Sequence, residues 1–315
     1  MQRGSFNKTA FVDKILKGDL RSASKLLTLV EQRSPAAIPH LKQLYPHTGK
    51  AHLIGVTGPA GAGKSTLMSG LVSAFRQKRR RIGVLAIDPT SPFSGGAILG
   101  DRLRMRPHFL DREVFIRSLA VRGAWGGISP ALFDAIHVLD AMGKEIIFVE
   151  TVGVGQDEVQ IARLAETVLL VLSPGFGDAV QIMKAGLLEI GDITAVNKGD
   201  LKGAGRLVRL LRETDPGRSI VKVSATKGEG LSSLVALLEK ERIGKGLHQK
   251  KKVDFVKEEL QGLLRERFFE RGNSAPFAAG EIEAVFLRKR NPYALVHSWI
   301  KKRRARSRQT PKTVS

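Results

Sequence analysis

The chain has 315 residues, with 52 Lys and Arg against 30 Asp and Glu, a formal charge of +22, and no cysteine. The missing cysteine excludes a disulfide framework, a thiolate metal site and a cysteine nucleophile, and no apolar run approaches the ~20 residues of a membrane-spanning helix. The expectation is a soluble, cytoplasmic protein with one main domain and helical additions.

Residues 1–8 contain no signal-peptide apolar core. Over residues 9–32, Phe11, Val12, Ile15, Leu16, Leu20, Leu26, Leu27 and Val30 recur at helical spacing, predicting one or two amphipathic helices parted at Gly18-Asp19. Pro35, Pro39, Pro46 and Gly49 then mark a connector. A buried strand is expected at residues 52–57, and directly after it residues 58–65 read Gly-Pro-Ala-Gly-Ala-Gly-Lys-Ser. This is a complete G-x-x-x-x-G-K-[ST] phosphate loop. Glycines let successive N–H groups turn toward phosphate oxygens, and the following helix presents its positive end to the same charge. Gly58, Gly61, Ala62, Gly63, Lys64, Ser65 and Thr66 are therefore candidate nucleotide ligands. Lys64 would reach the β/γ-phosphates as a catalytic group, and Ser65 would bind Mg²⁺.

Further apolar β-branched runs follow at residues 82–87, 114–119, 145–149, 168–172, 193–196 and 220–223, separated by helical patterns. Such alternation predicts an α/β fold, a parallel sheet covered by helices on both faces. The strands ending near Asp88 and Glu150 bring carboxylates to the carboxyl edge of that sheet, where ligands bind in open α/β folds. Asp88, Asp101 and Glu150 are candidate Mg²⁺ ligands, in keeping with an ion that takes one or two carboxylates and keeps several waters. Gly153 is a candidate sensor of the γ-phosphate through its N–H.

A phosphate loop alone does not separate ATP from GTP. Asn197-Lys198-Gly199-Asp200 follows a strand as the N-K-x-D motif of GTPases should. The Asp200 carboxylate can accept from guanine N1–H and N2–H₂, a pair that adenine lacks; Asn197 would brace the loop and Lys198 lie along the base. Gly199 fills the unrestricted position of the motif. After the next strand, Ser224, Ala225 and Thr226 stand where backbone groups contact guanine O6. The expected substrate and product are GTP and GDP, with Mg²⁺ as cofactor.

Beyond residue 245 the apolar spacing is helical, through Phe255, Val256, Leu260, Leu263, Leu264 and Phe268 to Trp299 and Ile300. The expected division is a helical extension at 1–50, a nucleotide domain at 51–244, and a helical extension with a basic tail at 245–315. The positive excess gathers at residues 78–81, 250–252, 288–290 and 301–308. It reads either as solvated surface with a basic tail or as a dock for an anionic partner, nucleic acid or acidic protein. Few aromatics accompany it, so no base-stacking platform is indicated.

Four segments in combination resemble the MeaB/ArgK family: Asp-Pro-Thr-Ser-Pro at 88–92; Gly-Gly-Ala-Ile-Leu-Gly-Asp-Arg-Leu-Arg-Met at 95–105; Glu-Thr-Val-Gly-Val-Gly-Gln at 150–156; and Pro-Gly-Phe-Gly-Asp at 174–178 with Gln181 and Lys184. The resemblance runs over about residues 54–238. It implies a G-protein that gates cofactor loading and protects an adenosylcobalamin-dependent acyl-CoA mutase such as methylmalonyl-CoA mutase. It assigns Lys64 and Ser65 to the phosphate loop, Asp88, Asp101 and Glu150 to the metal, and Asn197, Lys198 and Asp200 to the base. Residues 175–184 would be the switch that reports nucleotide state to the mutase. Relatives have also been labelled transport ATPases or kinases, against which the guanine-reading loop argues.

Trp125 stands where the family has a smaller aliphatic residue, and the basic carboxy-terminal region, whose counterpart in relatives forms the helices of a homodimer, matches poorly; the resemblance implies a homodimer through that region. Thr151 does not resemble the positioned glutamine that orients the attacking water in other GTPases, Gln156 is a candidate for that task, and slow intrinsic turnover raised by a partner is expected. Alternatives are a metal-insertion GTPase of the hydrogenase or urease type, a signal-recognition-type GTPase, and a GTP-switched nucleic-acid-binding protein. The first would need a metal relay from a chain with no Cys and seven scattered His. The last is marked by steep salt dependence.

Overall fold

The computed structural model describes residues 8–89, 105–121, 129–151, 157–175, 187–243 and 245–265. Contacts divide the chain into a unit spanning Met1–Gly262 and a second spanning Leu263–Ser315, and all but three of the described residues lie in the first. Seven strands form one parallel sheet: β1 (His52–Thr57), β2 (Ile82–Pro89), β3 (Val114–Val121), β4 (Ile146–Glu150), β5 (Thr167–Leu172), β6 (Ile193–Val196) and β7 (Ser219–Lys222). Their order across the sheet is β3-β2-β4-β1-β5-β6-β7, and every neighbouring pair is parallel. β1, β4 and β5 are buried along their whole length, as strands covered on both faces must be.

Alternation along the strands sorts the core. Ile54 and Val56 of β1, Ile82 and Val84 of β2, and Ile146 and Phe148 of β4 pack with Leu67, Leu71 and Phe75 of α4 (Lys64–Gln77) and with Leu234 and Leu238 of α9 (Leu231–Ile243). The opposite face, with Leu53, Leu85, Ile147 and Val149, meets the amino-terminal helices and α5 (Pro130–Ala141). Among the described residues the remaining helices, apart from those at the amino terminus, are α6 (Asp157–Leu164), the single turn α7 (Leu187–Ile190), α8 (Ala204–Thr214) and α10 (Lys245–Arg265).

Two helices form at the amino terminus as expected, α1 (Lys8–Leu16) and α2 (Leu20–Glu31). Gly18 turns left-handed between them at φ 85°, and the Asp19 carboxylate caps α2 by accepting from the Ser22 N–H at 2.7 Å. Hydrogen bonding from the Ser22 side chain, with that backbone bond, holds the Asp19 carboxyl below its usual range. The proline-rich stretch expected as a connector is helical instead: a 3₁₀ turn at Pro35–Ala37, α3 at Ile38–Leu44, and another 3₁₀ turn at Tyr45–His47. Each proline sits in a first helical turn, where its missing N–H is no loss.

These helices are not an appendage. Ile15, Leu26, Leu27, Val30 and Leu44 belong to the same buried cluster as Leu53 of β1, Phe115 of β3 and Phe133 of α5. Arg117 of β3 pairs with Glu31, and Arg33 with Asp134 of α5 at 3.0 Å. Asp140 accepts from the backbone N–H groups of Gly49 and Ala51, fixing the entry to β1. Leu26→Ala is therefore expected to destabilise the whole nucleotide-binding fold by about 2–5 kcal/mol. A urea titration followed by tryptophan-independent far-UV signal measures this; a shift under about 1 kcal/mol would mean that α2 contributes no core.

Two of the basic runs are partly engaged within the fold. Lys78 pairs with Glu239, and Arg80 with Glu145 at 3.0 Å. Lys251 reaches Asp192 at 2.6 Å and the Glu166 carbonyl at 2.9 Å, and Lys252 lies 3.7 Å from the Glu166 carboxylate. The runs at 288–290 and 301–308 lie outside the described residues.

Candidate nucleotide site

β1 ends at Thr57, and the chain then curls through three glycines in the left-handed half of backbone space: Gly58 (φ 137°), Gly61 (φ 76°) and Gly63 (φ 87°). At Gly58 the need is also steric, because a Cβ there would stand 2.1 Å from the Val171 carbonyl oxygen of β5. Gly63 precedes α4, and no side chain caps that helix. The N–H groups of its first turn, with the positive end of its dipole, converge on the mouth of the loop. Ala62 is fully buried beneath, and Thr66 follows in the first turn. The Lys64 ammonium is drawn back over the loop, donating to the carbonyls of Gly58 at 2.8 Å and Pro59 at 3.3 Å.

Register places the acidic groups. Val56 of β1 and Ala86 of β2 are both level with Glu150 of β4, so Glu150 stands at the carboxyl edge two residues short of the loop's level. It shares the parity of Ile146 and Phe148, which face α4. Accordingly its Oε1 accepts from Ser65 Oγ at 2.7 Å, with both residues only 5% exposed. Two hard oxygen donors thus meet beside the helix that carries the phosphate loop, a donor set that suits Mg²⁺. Asp88 is level with Ala120 near the end of β2; its side chain, together with Asp101 and Gly153, lies outside the described residues.

On the far side of the loop, Asn197 joins two structures. Its Nδ2 donates to the carbonyls of Ala62 at 3.0 Å and Gly63 at 3.3 Å, and its Oδ1 accepts from the Ala225 N–H at 3.1 Å. Its seat is so close that a Cβ on Gly63 would lie 2.6 Å from Nδ2. Lys198 takes φ 54°, turning the chain back. Gly199 then donates its N–H to the Val223 carbonyl at 2.8 Å. A Cβ there would come within 2.9 Å of that same carbonyl oxygen, so the position is restricted rather than open. Asp200 accepts from Ser224 Oγ at 2.8 Å, has Lys227 Nζ 3.8 Å away, and Ser224 Oγ lies 3.4 Å from Thr226 Oγ1. The Ser224 bond holds the Asp200 carboxyl below its usual range, keeping it an ionised acceptor at neutral pH.

A family described as "Methylmalonyl Co-A mutase-associated GTPase MeaB" matches residues 23–276, more than half of the chain. The chain belongs to the MeaB family of GTPases. The matched stretch contains the phosphate loop, Glu150 and the base-side residues together with α3, α5 and α2 from residue 23 on. Among the relatives, a Pyrococcus horikoshii protein named as a GTPase is 56% identical over 193 residues, 61% of this chain and 61% of that one. A Pyrococcus abyssi protein named likewise is 49% identical over 234 residues, 71% of this chain and 72% of that one. The aligned part is thus under two thirds of the length of the first relative. A crystal structure named "LAO/AO transport system kinase" is similar in fold, with TM-score 0.64 at 19% identity over 96% of this chain and 100% of that chain.

Two contacts in this MeaB-family chain are not foreseen from sequence. Thr151 Oγ1 donates to Thr57 Oγ1 at 3.2 Å while the Thr151 N–H donates to the Val56 carbonyl at 3.1 Å, tying the entry of the phosphate loop to the end of β4. His108, in the 3₁₀ turn Arg106–His108, sets Nε2 3.1 Å from Ser69 Oγ and 3.0 Å from the Ser69 carbonyl, on the second turn of α4. Burial pushes its pKa down. Sequence signals for both exist only in hindsight, as a Thr after the strand-ending Glu and a His near a helix it does not neighbour in the chain.

Proposed function

We propose that this MeaB-family chain binds GTP across the loop at 58–66 and the base-side residues 197–200 and 224–226, and hydrolyses it to GDP and phosphate. We further propose that it uses the cycle as a chaperone for an adenosylcobalamin-dependent acyl-CoA mutase of the methylmalonyl-CoA type. The observation that carries the nucleotide reading is the Asn197 bridge, which makes the phosphate loop and the Asp200 loop one site. The family's description, which names methylmalonyl-CoA mutase, supports the partner. Residues 51–244 are the proposed nucleotide portion, with the helices of 1–50 packed on its sheet.

The N–H groups opening α4 and the Lys64 ammonium would stabilise charge spread over the transferring phosphoryl oxygens, a task that preorganised donors perform without reorganisation. Lys64 would exchange the Gly58 and Pro59 carbonyls for phosphate oxygens. Ser65 and Glu150 would hold Mg²⁺, which when bound neutralises phosphate charge. The Asp200 carboxylate would accept from guanine N1–H and N2–H₂, while Ser224 keeps it oriented. The Thr57–Thr151 pair would hold the strand ends that carry the loop and Glu150 in fixed relation.

Steady-state hydrolysis of GTP and ATP, alone and with methylmalonyl-CoA mutase, tests both parts. Slow, GTP-selective turnover that the mutase accelerates is expected. ATP preference would overturn the nucleotide assignment, and GTP turnover indifferent to the mutase would overturn the partner.

A further inference from the structure

At the sheet edge opposite the phosphate loop, a cavity of about 320 Å³ opens where β1, β2 and β4 begin. β1 alone separates the two edges by about 20 Å, at ~3.3 Å per residue. Cations from four stretches of chain line the cavity: Lys50 before β1, Arg81 before β2, Lys144 before β4 and Arg242 in the last turn of α9. Among the described residues only two carboxylates share the wall, and both are engaged. Asp140 accepts from the Gly49 and Ala51 N–H groups; Glu145 accepts from Arg80 Nη1 at 3.0 Å and the Arg81 N–H at 3.0 Å, with Arg81 Nε 3.8 Å from the same carboxylate, so two carboxylates face the four lining cations and Arg80. At the end of α5 the N–H groups of Met142, Gly143 and Lys144 donate to the carbonyls of Val138, Asp140 and Leu139.

A positive excess therefore remains. Among the described residues, the side chains of Lys50 and Arg242 make no hydrogen bond or ion pair. Arg81 lies against the left-handed Gly143 (φ 84°), where a Cβ would come 2.9 Å from its Nη1, so glycine there lets the guanidinium lie flat on the turn. We propose that this cavity binds a small phosphate-bearing anion. Planar guanidinium groups match phosphate oxygens in pairs, and a recessed lysine adds a point charge. The volume lies at the small end of ligand sites. Among the described residues no Phe, Tyr or Trp lines the wall, so a nucleobase finds no face to stack on there, which favours a small phosphate over a nucleic-acid strand.

The test titrates inorganic phosphate by calorimetry into the full chain with GDP and Mg²⁺ present to occupy the phosphate loop, at fixed ionic strength set with chloride. One saturable site is expected. The dissociation constant should rise at least tenfold in the Lys50→Ala/Arg242→Ala double variant and in Arg81→Gln, and stay within twofold in Lys64→Ala. Thermal midpoints within about 2 °C of the unsubstituted chain confirm that these surface changes leave the fold in place. Absence of saturable binding, equal binding by the double variant, or loss on Lys64→Ala alone would each overturn the site; the GTPase reading stands or falls separately, by its own assay.

Discussion

Replacing Lys64 with alanine is expected to slow GTP hydrolysis by about 10²–10³-fold, the cost of removing one preorganised donor to a charged transition state. The expectation rests on where the ammonium stands. It is held over the loop by the Gly58 and Pro59 carbonyls, so it needs no long excursion to reach phosphate. The fold should survive, because the loop's path is set by glycine backbone and by Asn197 rather than by this side chain. Single-turnover hydrolysis at saturating GTP, with circular dichroism as the control, measures the effect. A loss smaller than tenfold in a folded variant would remove Lys64 from the catalytic machinery.

Asp200→Asn is expected to weaken GTP binding about a hundredfold or more, since each charge-assisted bond to the guanine edge contributes roughly 1.5–3 kcal/mol. The same change should strengthen XTP binding, because an amide can donate to xanthine O2 while its oxygen still accepts from N1–H. Ser224 remains able to donate to the asparagine oxygen, so the side chain keeps its orientation and only its hydrogen-bonding polarity changes. Because the carboxyl is held below its usual range, GTP affinity of the unsubstituted chain should be flat from pH 6 to 8: the acceptor is ionised throughout and would be lost only on acidification through its lowered pKa. Competition binding of GTP and XTP to both proteins decides the matter. Unchanged GTP affinity in the variant would end the base-reading assignment.

Much of the fold is legible because its signals are local. Each apolar β-branched run becomes a strand, and the shifts at their ends have physical causes. Thr167 joins β5 ahead of the apolar run because its backbone pairs with Ile54 of β1, and His52 Nε2 lies 2.8 Å from its hydroxyl. Val223 falls just past β7, yet its N–H still donates to the Val196 carbonyl. The prolines at 35, 39 and 46 are legible as punctuation but not as helix starts, since the same residue serves both and only the packing of Leu44 and Ala37 decides. In the site, residue types and order give the loop and the base-side motif. Gly199 shows what they omit: its restriction comes from Lys222 and Val223, at and just past the end of β7, and no spacing rule contains those distances. Asn197 likewise reaches residues 62 and 63 only through the sheet.

The joining of α2 to α5 has a consequence for biogenesis. Arg33 and Asp134 are 101 residues apart in the chain, and Leu26, Leu27 and Val30 are covered by groups that include Phe115 and Phe133. A ribosome emitting this protein therefore releases a sticky amphipathic helix well before its cover exists. At about 5–20 residues per second, that interval lasts roughly 5–20 s. Truncated nascent chains ending before α5 should accordingly recruit holdase chaperones through residues 20–31, whereas chains extended past β4 should shed them.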